Sequence, residues 1–407
     1  MLQRSPVPAA DTGPDAKSHA KPDIDWRLLG PLLANSVIVQ AVIGMLRVAT
    51  TYRTIELELP VVWLGVISAS FALLPVFAAV RLGRFIDRGN DSQSAWIGAG
   101  LILTSAIGFW AWCPTGAHLL AYTVVLGFGH MFSMAAHQML AVRSASLRGR
   151  DSAFGHFMVA ASTGQGLGPF MVGWLGGAST VPATGYLFGI GLLGAVACLA
   201  VALLLRPGPR SRAPDAAGSL VALGTLMRMP GMLAVIIASV VTVTSLDLLV
   251  VYLPLIGAER QVNANDIGML LTIRAVAALV ARAFFARLVM LFGRQQLTFV
   301  SIAVAAGAFA LLALPSLALM YVAIIAVGLG LGIASTTTLS GVVDLAPPEA
   351  RGTALSLRIT GNRVGQVLVP FVASLIAAAT GTAGILLVIA ATLVASGTAA
   401  RLSWRQL

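Results

Sequence analysis

The chain has 407 residues, 58% of them hydrophobic and only 10% charged, with a mean hydropathy of +0.90 and a formal net charge of +11. A soluble globular protein carries roughly 25% charged residues, so this composition excludes an ordinary soluble domain. Nor is the positive charge a nucleic-acid signature: the basic residues sit at the ends of apolar runs, and Lys17 and Lys21 are the only lysines.

Residues 1–26 are polar and Pro-rich and read as a disordered cytoplasmic tail, without the short apolar core and small-residue cleavage site of a signal peptide. Apolar runs then begin near Leu28, Val62, Ala95, Leu119, Phe154, Tyr186, Met232, Ile267, Leu297, Leu317, Ala354 and Gly384. Each run of about 20 residues suffices to cross the hydrocarbon layer as a helix, and a helix satisfies its backbone where lipid offers no partner. The reading is an all-α membrane protein of about twelve spans. The Pro-, Gly- and Arg-rich stretch 206–230 divides it into two six-helix bundles, 27–205 and 231–407, with a surface helix expected within Ser219–Met227.

Orientation follows from the excess of arginine on cytoplasmic loops. One set of loops carries Arg84 and Arg88, then Arg143, Arg148 and Arg150, then Arg206, Arg210, Arg212 and Arg228, and in the second half Arg287, Arg294, Arg351, Arg401 and Arg405. The opposite loops hold little beyond Arg53 and Arg260, accompanied by Glu56, Glu58, Glu259 and Asp266. Both termini are expected in the cytoplasm, in a bacterial inner membrane. The halves also repeat. Arg150, Gly164 and Pro169 recur as Arg351, Gly365 and Pro370, and Arg47 and Tyr52 are matched by Asp247 and Tyr252. Such spacing suits parallel repeats that rock about a central site.

Two motifs carry more than topology. The loop after the second span reads Gly83-Arg84-Phe85-Ile86-Asp87-Arg88-Gly89. Gly83 would allow close helix approach, and Asp87 would accept charge-assisted hydrogen bonds from Arg88 or a neighbouring loop. The fifth span places Gly155, Gly164, Gly168-Pro169 and Gly173 along one helix, where small residues permit tight packing and Pro169 removes a backbone donor. The first motif resembles the G-x3-D-[RK]-x-G signature of the major facilitator superfamily, with the last glycine one position early. The second resembles the G-x8-G-x3-G-P-x2-G-G pattern of its proton-driven antiporters, with Val172 in place of one glycine. The resemblance implies two pseudo-symmetric bundles, alternating access, an inner latch at Gly83, Asp87 and Arg88, and export against protons. The fourth-span arginine of many such exporters is absent: Thr123 stands in its place.

Charges inside the membrane are costly, about 2.5 kcal/mol or more on insertion scales, and so point to function. Asp247 is the one acidic residue clearly within an apolar run and is the candidate proton-coupling group, with His130 as a second. Given the resemblance, the first and seventh spans line the cavity, so Arg47 is expected to pair with Asp247 across the bundles, Arg274 competing as partner. Arg363, flanked by Asn362 and Gln366, adds a third interior cation, while Arg282 and Arg358 are expected to snorkel towards the inner interface. Tyr52 and Tyr252 read as belt residues or as members of the cavity mouth. A cationic interior with one carboxylate favours an anionic or zwitterionic solute, because guanidinium binds carboxylate bidentately.

The expected function is proton-coupled efflux of a small organic solute by a monomer in the lipid bilayer; the alternative is proton-coupled uptake of an organic acid. A receptor or scaffold would need a soluble output domain. No enzyme motif is present: there is no HExxH, and Gly328–Gly332 is not a nucleotide loop because no strand precedes it and no GK[ST] follows. No cofactor, metal or nucleic-acid partner is expected, and Cys113 and Cys198 read as buried apolar thiols.

Overall fold

The computed structural model describes residues 23–146, 149–206, 223–347 and 350–404. The Lys17 and Lys21 tail, Arg148, Arg210, Arg212 and Arg405 lie outside the described residues, as does most of the stretch between the bundles.

The N-terminal bundle consists of α1 (Trp26–Glu56), α2 (Val62–Asp87), α3 (Asp91–Ala111), α4 (Gly116–Arg143), α5 (Arg150–Gly176) and α6 (Thr184–Ala202). A short α7 (Leu223–Met227) falls within the expected surface helix. The C-terminal bundle holds α8 (Met232–Glu259), α9 (Ala264–Ala283), α10 (Phe285–Phe292), α11 (Arg294–Leu312), α12 (Leu317–Leu345) and α13 (Arg351–Trp404). Ten helices are long and apolar enough to cross a membrane. α5 is a further 27-residue rod, less apolar because Ser, Gln and Gly interrupt it. α13 folds into two arms at Gly381, whose φ of 72° and ψ of 179° suit only glycine. Twelve rods result, as the apolar runs predict, with α10 extending the eighth beyond Phe284.

The outer surface confirms the solvent these rods are built for. Phe77, Trp174, Leu193 and Met290 are each about two-thirds or more exposed, which suits lipid tails and would be an aggregation liability in water. Cys113, in the loop after α3, is a free, buried thiol. Burial pushes its pKa up to about 11 against the opposing pull of Arg53, so it is a poor nucleophile.

Packing repeats between the halves in chemical detail. α4 crosses α2 where Gly127 meets the Phe71 backbone, and α12 crosses α9 where Gly328 meets the Arg274 backbone. At the C-terminal ends of α1 and α8 the same staples recur. Thr184 donates to Glu56 and Thr382 to Glu259. Arg53 donates to the carbonyl of Cys113 at 2.9 Å, and Arg260 to those of Leu312 and Leu314 at 2.9 Å. At the opposite ends, Asp91 pairs with Arg143, and Arg294 with Asp344, the same bridge with its charges exchanged.

We call the end bearing the start of α1 and the end of α13 the terminal face, and the other the far face. The bundles meet mainly in the far half. α2 approaches the first arm of α13 where Gly65 faces Pro370 and Ser374. α5 crosses α9 glycine to glycine, Gly173 against Gly268. Beside this crossing the Ala264 N–H donates to the Ser179 carbonyl at 2.7 Å, and the Asn265 N–H to the Gly177 carbonyl at 3.1 Å.

A Cβ at Gly268 would lie 2.6 Å from both the Gly173 Cα and the Pro169 carbonyl, a clash with backbone that nothing local relieves. Gly268→Val is therefore expected to open the far face. Maleimide labelling of an Ala264→Cys reporter, buried in the parent, should rise severalfold. Gly307→Ala, at a glycine with open space around it, should leave labelling unchanged.

Candidate functional site

Between the bundles lies a cavity of about 570 Å³, within the range of small-molecule sites. It runs from the level of Arg47 and Asp247 towards the terminal face, reaching Gly83, Gln138 and Arg282. Residues from α1, α2, α4 and α5 form one wall, and residues from α8, α9, α12 and the first arm of α13 form the other.

Its far end is closed by a chain of polar contacts. Arg47 on α1 donates to Asp247 Oδ1 on α8 at 3.0 Å, with the two side chains 13% and 21% exposed. The other carboxylate oxygen accepts from Gln366 Nε2 at 2.5 Å, and Gln366 Oε1 accepts from Arg363 at 3.1 Å. The Arg47 guanidinium also lies 4.7 Å from the centre of the Phe71 ring, within cation–π range. One carboxylate thus joins α1 of one bundle to α8 and α13 of the other, and the expected pair is joined by Gln366 and Arg363.

Arg274, the competing partner, forms no ion pair among the described residues. It lines the cavity, is 7% exposed, and has its Nε buried without a hydrogen-bond partner. Arg282 does not snorkel: it turns across the cavity to the Ser162 hydroxyl on α5, at 3.4 Å. Arg358 likewise turns inward, donating to the Ser335 carbonyl of α12 at 3.3 Å. Asn362 lines the cavity and accepts from Ser239 at 3.1 Å.

On the opposite wall His130 donates from Nε2 to Gln40 Oε1 at 3.0 Å, and Gln40 Nε2 points at the Met134 sulfur at 3.4 Å. The His130 and Phe71 rings stand 5.5 Å apart. His137 has no place in the cavity: deep in the N-terminal bundle it donates to Asn35, which donates to the Cys198 carbonyl.

Several expected residues lie elsewhere. Tyr52 and Tyr252 are neither belt nor cavity residues but are 0% and 3% exposed in the core, where packing around α1 and α8 encloses them. Gly83 makes no close helix contact; a Cβ there would meet open space, and the residue lines the cavity. The Asp87 side chain lies outside the described residues, and Arg88 caps α2 by its backbone. In α5, Gly164 and Gly168 pack against α1, Gly173 packs against α9, and Gly155 faces open space. Pro169 presses its ring on Gly44 of α1. The motif therefore splits between an intra-bundle and an inter-bundle face. Gln40, Phe71 and Gln165 are cavity residues that sequence reading passed over, and Arg282 joins them in place of its expected position at the interface. The signal for Gln40 was there, an amide inside the apolar run of α1, but its partner His130 is 90 positions away.

Removing one member of a part-buried ion pair leaves the other uncompensated. Arg47→Met and Asp247→Leu are each expected to lower the thermal midpoint of the detergent-solubilised protein, and the double substitution should recover much of the loss. A coupling of about 0.5–3 kcal/mol is expected from the cycle; additive single effects would show that the two side chains do not interact.

The Major Facilitator Superfamily profile matches residues 32–261 and 235–406. No curated protein matches the sequence. Among solved structures, a mutant of the nucleoside transporter NupG superposes with a TM-score of 0.78 at 15% identity, covering 93% of this chain and 100% of that one. A bacterial homolog of the human lysosomal transporter Spinster, in an inward-facing and unoccupied conformation, gives 0.74 at 14% identity over 95% and 98%. A POT family transporter in complex with a thioalcohol-conjugated peptide gives 0.73 at 13% over 91% and 94%. At these identities the likeness is one of fold, whereas the profile spans both bundles: the chain belongs to the Major Facilitator Superfamily of membrane transporters.

Proposed function

We propose that this protein is a proton-coupled secondary transporter of a small anionic or zwitterionic organic solute, working as a monomer by alternating access and exporting the solute in exchange for protons. The observation that carries this reading is the charge of the cavity: four guanidiniums, of Arg47, Arg274, Arg282 and Arg363, against the single carboxylate of Asp247. That carboxylate is already engaged by Arg47 and Gln366, so the remaining cations need an anion from outside the protein. Coupling energy comes from an ion gradient, and no cofactor is required.

The terminal face is the cytoplasmic side of a bacterial inner membrane in this reading, supported by the arginines at that end, so the cavity faces the cytoplasm. A proton arriving on Asp247 removes the charge that holds Arg47 and Gln366, and loosens the tie between α1 and the other bundle. The Gly173–Gly268 crossing then separates as the bundles rock. Asp247 is the proton carrier and His130, held by Gln40, a secondary polar group on the path. Arg274 and Arg363, with Asn362, hold the solute. The likeness of α5 to antiporter sequences supports exchange.

One observation favours symport of an organic acid as the second reading. Neutralising Asp247 raises the positive charge around Arg47 and Arg363, so a purely anionic solute binds more tightly when the proton is bound, and by linkage the proton binds more tightly with the solute. Exchange instead needs competition, which a zwitterion supplies when its ammonium group takes the place of the proton at Asp247.

Inside-out vesicles acidified within and carrying a pH dye decide between them. Export predicts that an added solute from a panel of organic acids and amino acids collapses the acid gradient in wild type and not in Asp247→Asn. If nothing on the panel moves protons in these vesicles, while whole cells accumulate an organic acid only when they carry the wild-type protein, the export reading is wrong and symport replaces it.

A further inference from the structure

The repeat identifies which cavity positions correspond between the two bundles, and beyond the Arg47–Asp247 pair that ties them together three of these positions place arginine in the C-terminal bundle alone. The equivalent glycine crossings put Phe71 of α2 in the place that Arg274 holds in α9. The same register along these helices sets Ala79 against Arg282, and the register of α5 and α13 that matches Gly164 with Gly365 sets Ser162 against Arg363. All six side chains line the cavity. Three positions that are arginine in the C-terminal bundle are thus aromatic, methyl and hydroxyl in the N-terminal one. Matching chemistry is kept in the Glu–Thr and Arg–carbonyl staples and in the glycine crossings.

The two walls consequently differ in kind. The C-terminal wall presents Arg274, Arg282 and Arg363. Arg274 lines the cavity with its Nε buried and no hydrogen-bond partner among the described residues. The N-terminal wall facing it presents Phe71, His130, Met131 and Met134, a strip of flat rings and thioethers whose His130 and Met134 are both tied to Gln40. Thioethers and the electron-rich faces of rings favour polarisable, apolar surface over an anion. The volume of about 570 Å³ also exceeds what a compact inorganic anion fills.

Resting on the anionic or zwitterionic reading above, we infer that the transported solute is an amphipathic organic acid, with or without an ammonium group, bound in one orientation, its acidic head on Arg274, Arg282 and Arg363 and its flat, unsaturated or aromatic body on Phe71, His130, Met131 and Met134. The anchor and the body belong to different bundles, so a solute with both parts bridges the cavity as neither part alone does. That gives the rocking motion a ligand contact on each moving body.

Three probes dissect the site on the purified full chain in detergent, by titration of intrinsic tryptophan fluorescence: 2-naphthoate (head and body), 2-naphthamide (body without charge) and sulfate (charge without body). The inference expects 2-naphthoate to bind at least about tenfold more tightly than either of the others, a gap of 1.4 kcal/mol. Met131→Ser and Met134→Ser should weaken 2-naphthoate several-fold and leave sulfate unchanged, whereas Arg363→Gln should weaken both anions. Equal affinities for 2-naphthoate and sulfate, both lowered by Arg363→Gln, would overturn the amphipathic inference and leave the anionic reading standing. Equal affinities for 2-naphthoate and 2-naphthamide, unmoved by Arg363→Gln, would overturn the anionic reading and this inference with it.

Discussion

Lipid offers a backbone amide no partner, and most of what is regular in this protein descends from that. Each crossing segment closes its own hydrogen bonds as a helix, so the rods themselves are nearly interchangeable and their arrangement must be decided by how closely they approach. Apolar surface supplies little preference, since lipid tails are as apolar as leucine. Glycine supplies it instead. Where Gly127 meets Phe71, Gly328 meets Arg274 and Gly173 meets Gly268, backbones lie against one another, and these crossings set the register within each bundle and the closure between them.

On that frame, the interior charges sit at the cavity and the rod ends are tied by polar contacts. At the ends of the rods the Glu56–Thr184 and Glu259–Thr382 contacts, and the Arg53 and Arg260 staples, tie off each bundle by the same means. In the middle one carboxylate answers to Arg47 from the facing bundle and to Gln366 from its own. A change at Asp247 therefore acts on both the inter-bundle contact and the position of Arg363, which reaches the same carboxylate only through Gln366. The cavity wall and the contact between the bundles share atoms, the physical requirement for coupling one ligand to another.

Symmetry and its loss have separate uses. Matched staples and crossings give the two bundles the same internal architecture. The mismatch of Phe71 with Arg274 and of Ser162 with Arg363 provides a polarised cavity that a symmetric duplicate would lack. Gly155 and Gly83 illustrate how far a motif can mislead when read as packing alone: both glycines face open space, and only Gly164, Gly168 and Gly173 make the close contacts that their small size suggests.

The sequence by itself determined the number of rods, the two-bundle class and the positions of the interior charges. Hydropathy and backbone satisfaction are local properties, readable in windows of about 20 residues, and the recurrence of Gly164 and Pro169 as Gly365 and Pro370 is visible in numbering alone. The kink that Gly381 places in α13 is equally local. Only the tertiary structure decided which charges meet. Asp247 had two arginines within plausible reach, and its partners prove to be Arg47, 200 positions away, and Gln366, 119 away, because rod packing rather than spacing brings them together. The same packing enclosed Tyr52 and Tyr252, and turned Arg282 and Arg358 from the helix ends towards Ser162 and Ser335. An acceptor within reach of a long side chain is a fact about neighbouring helices, and no window of a single helix contains it.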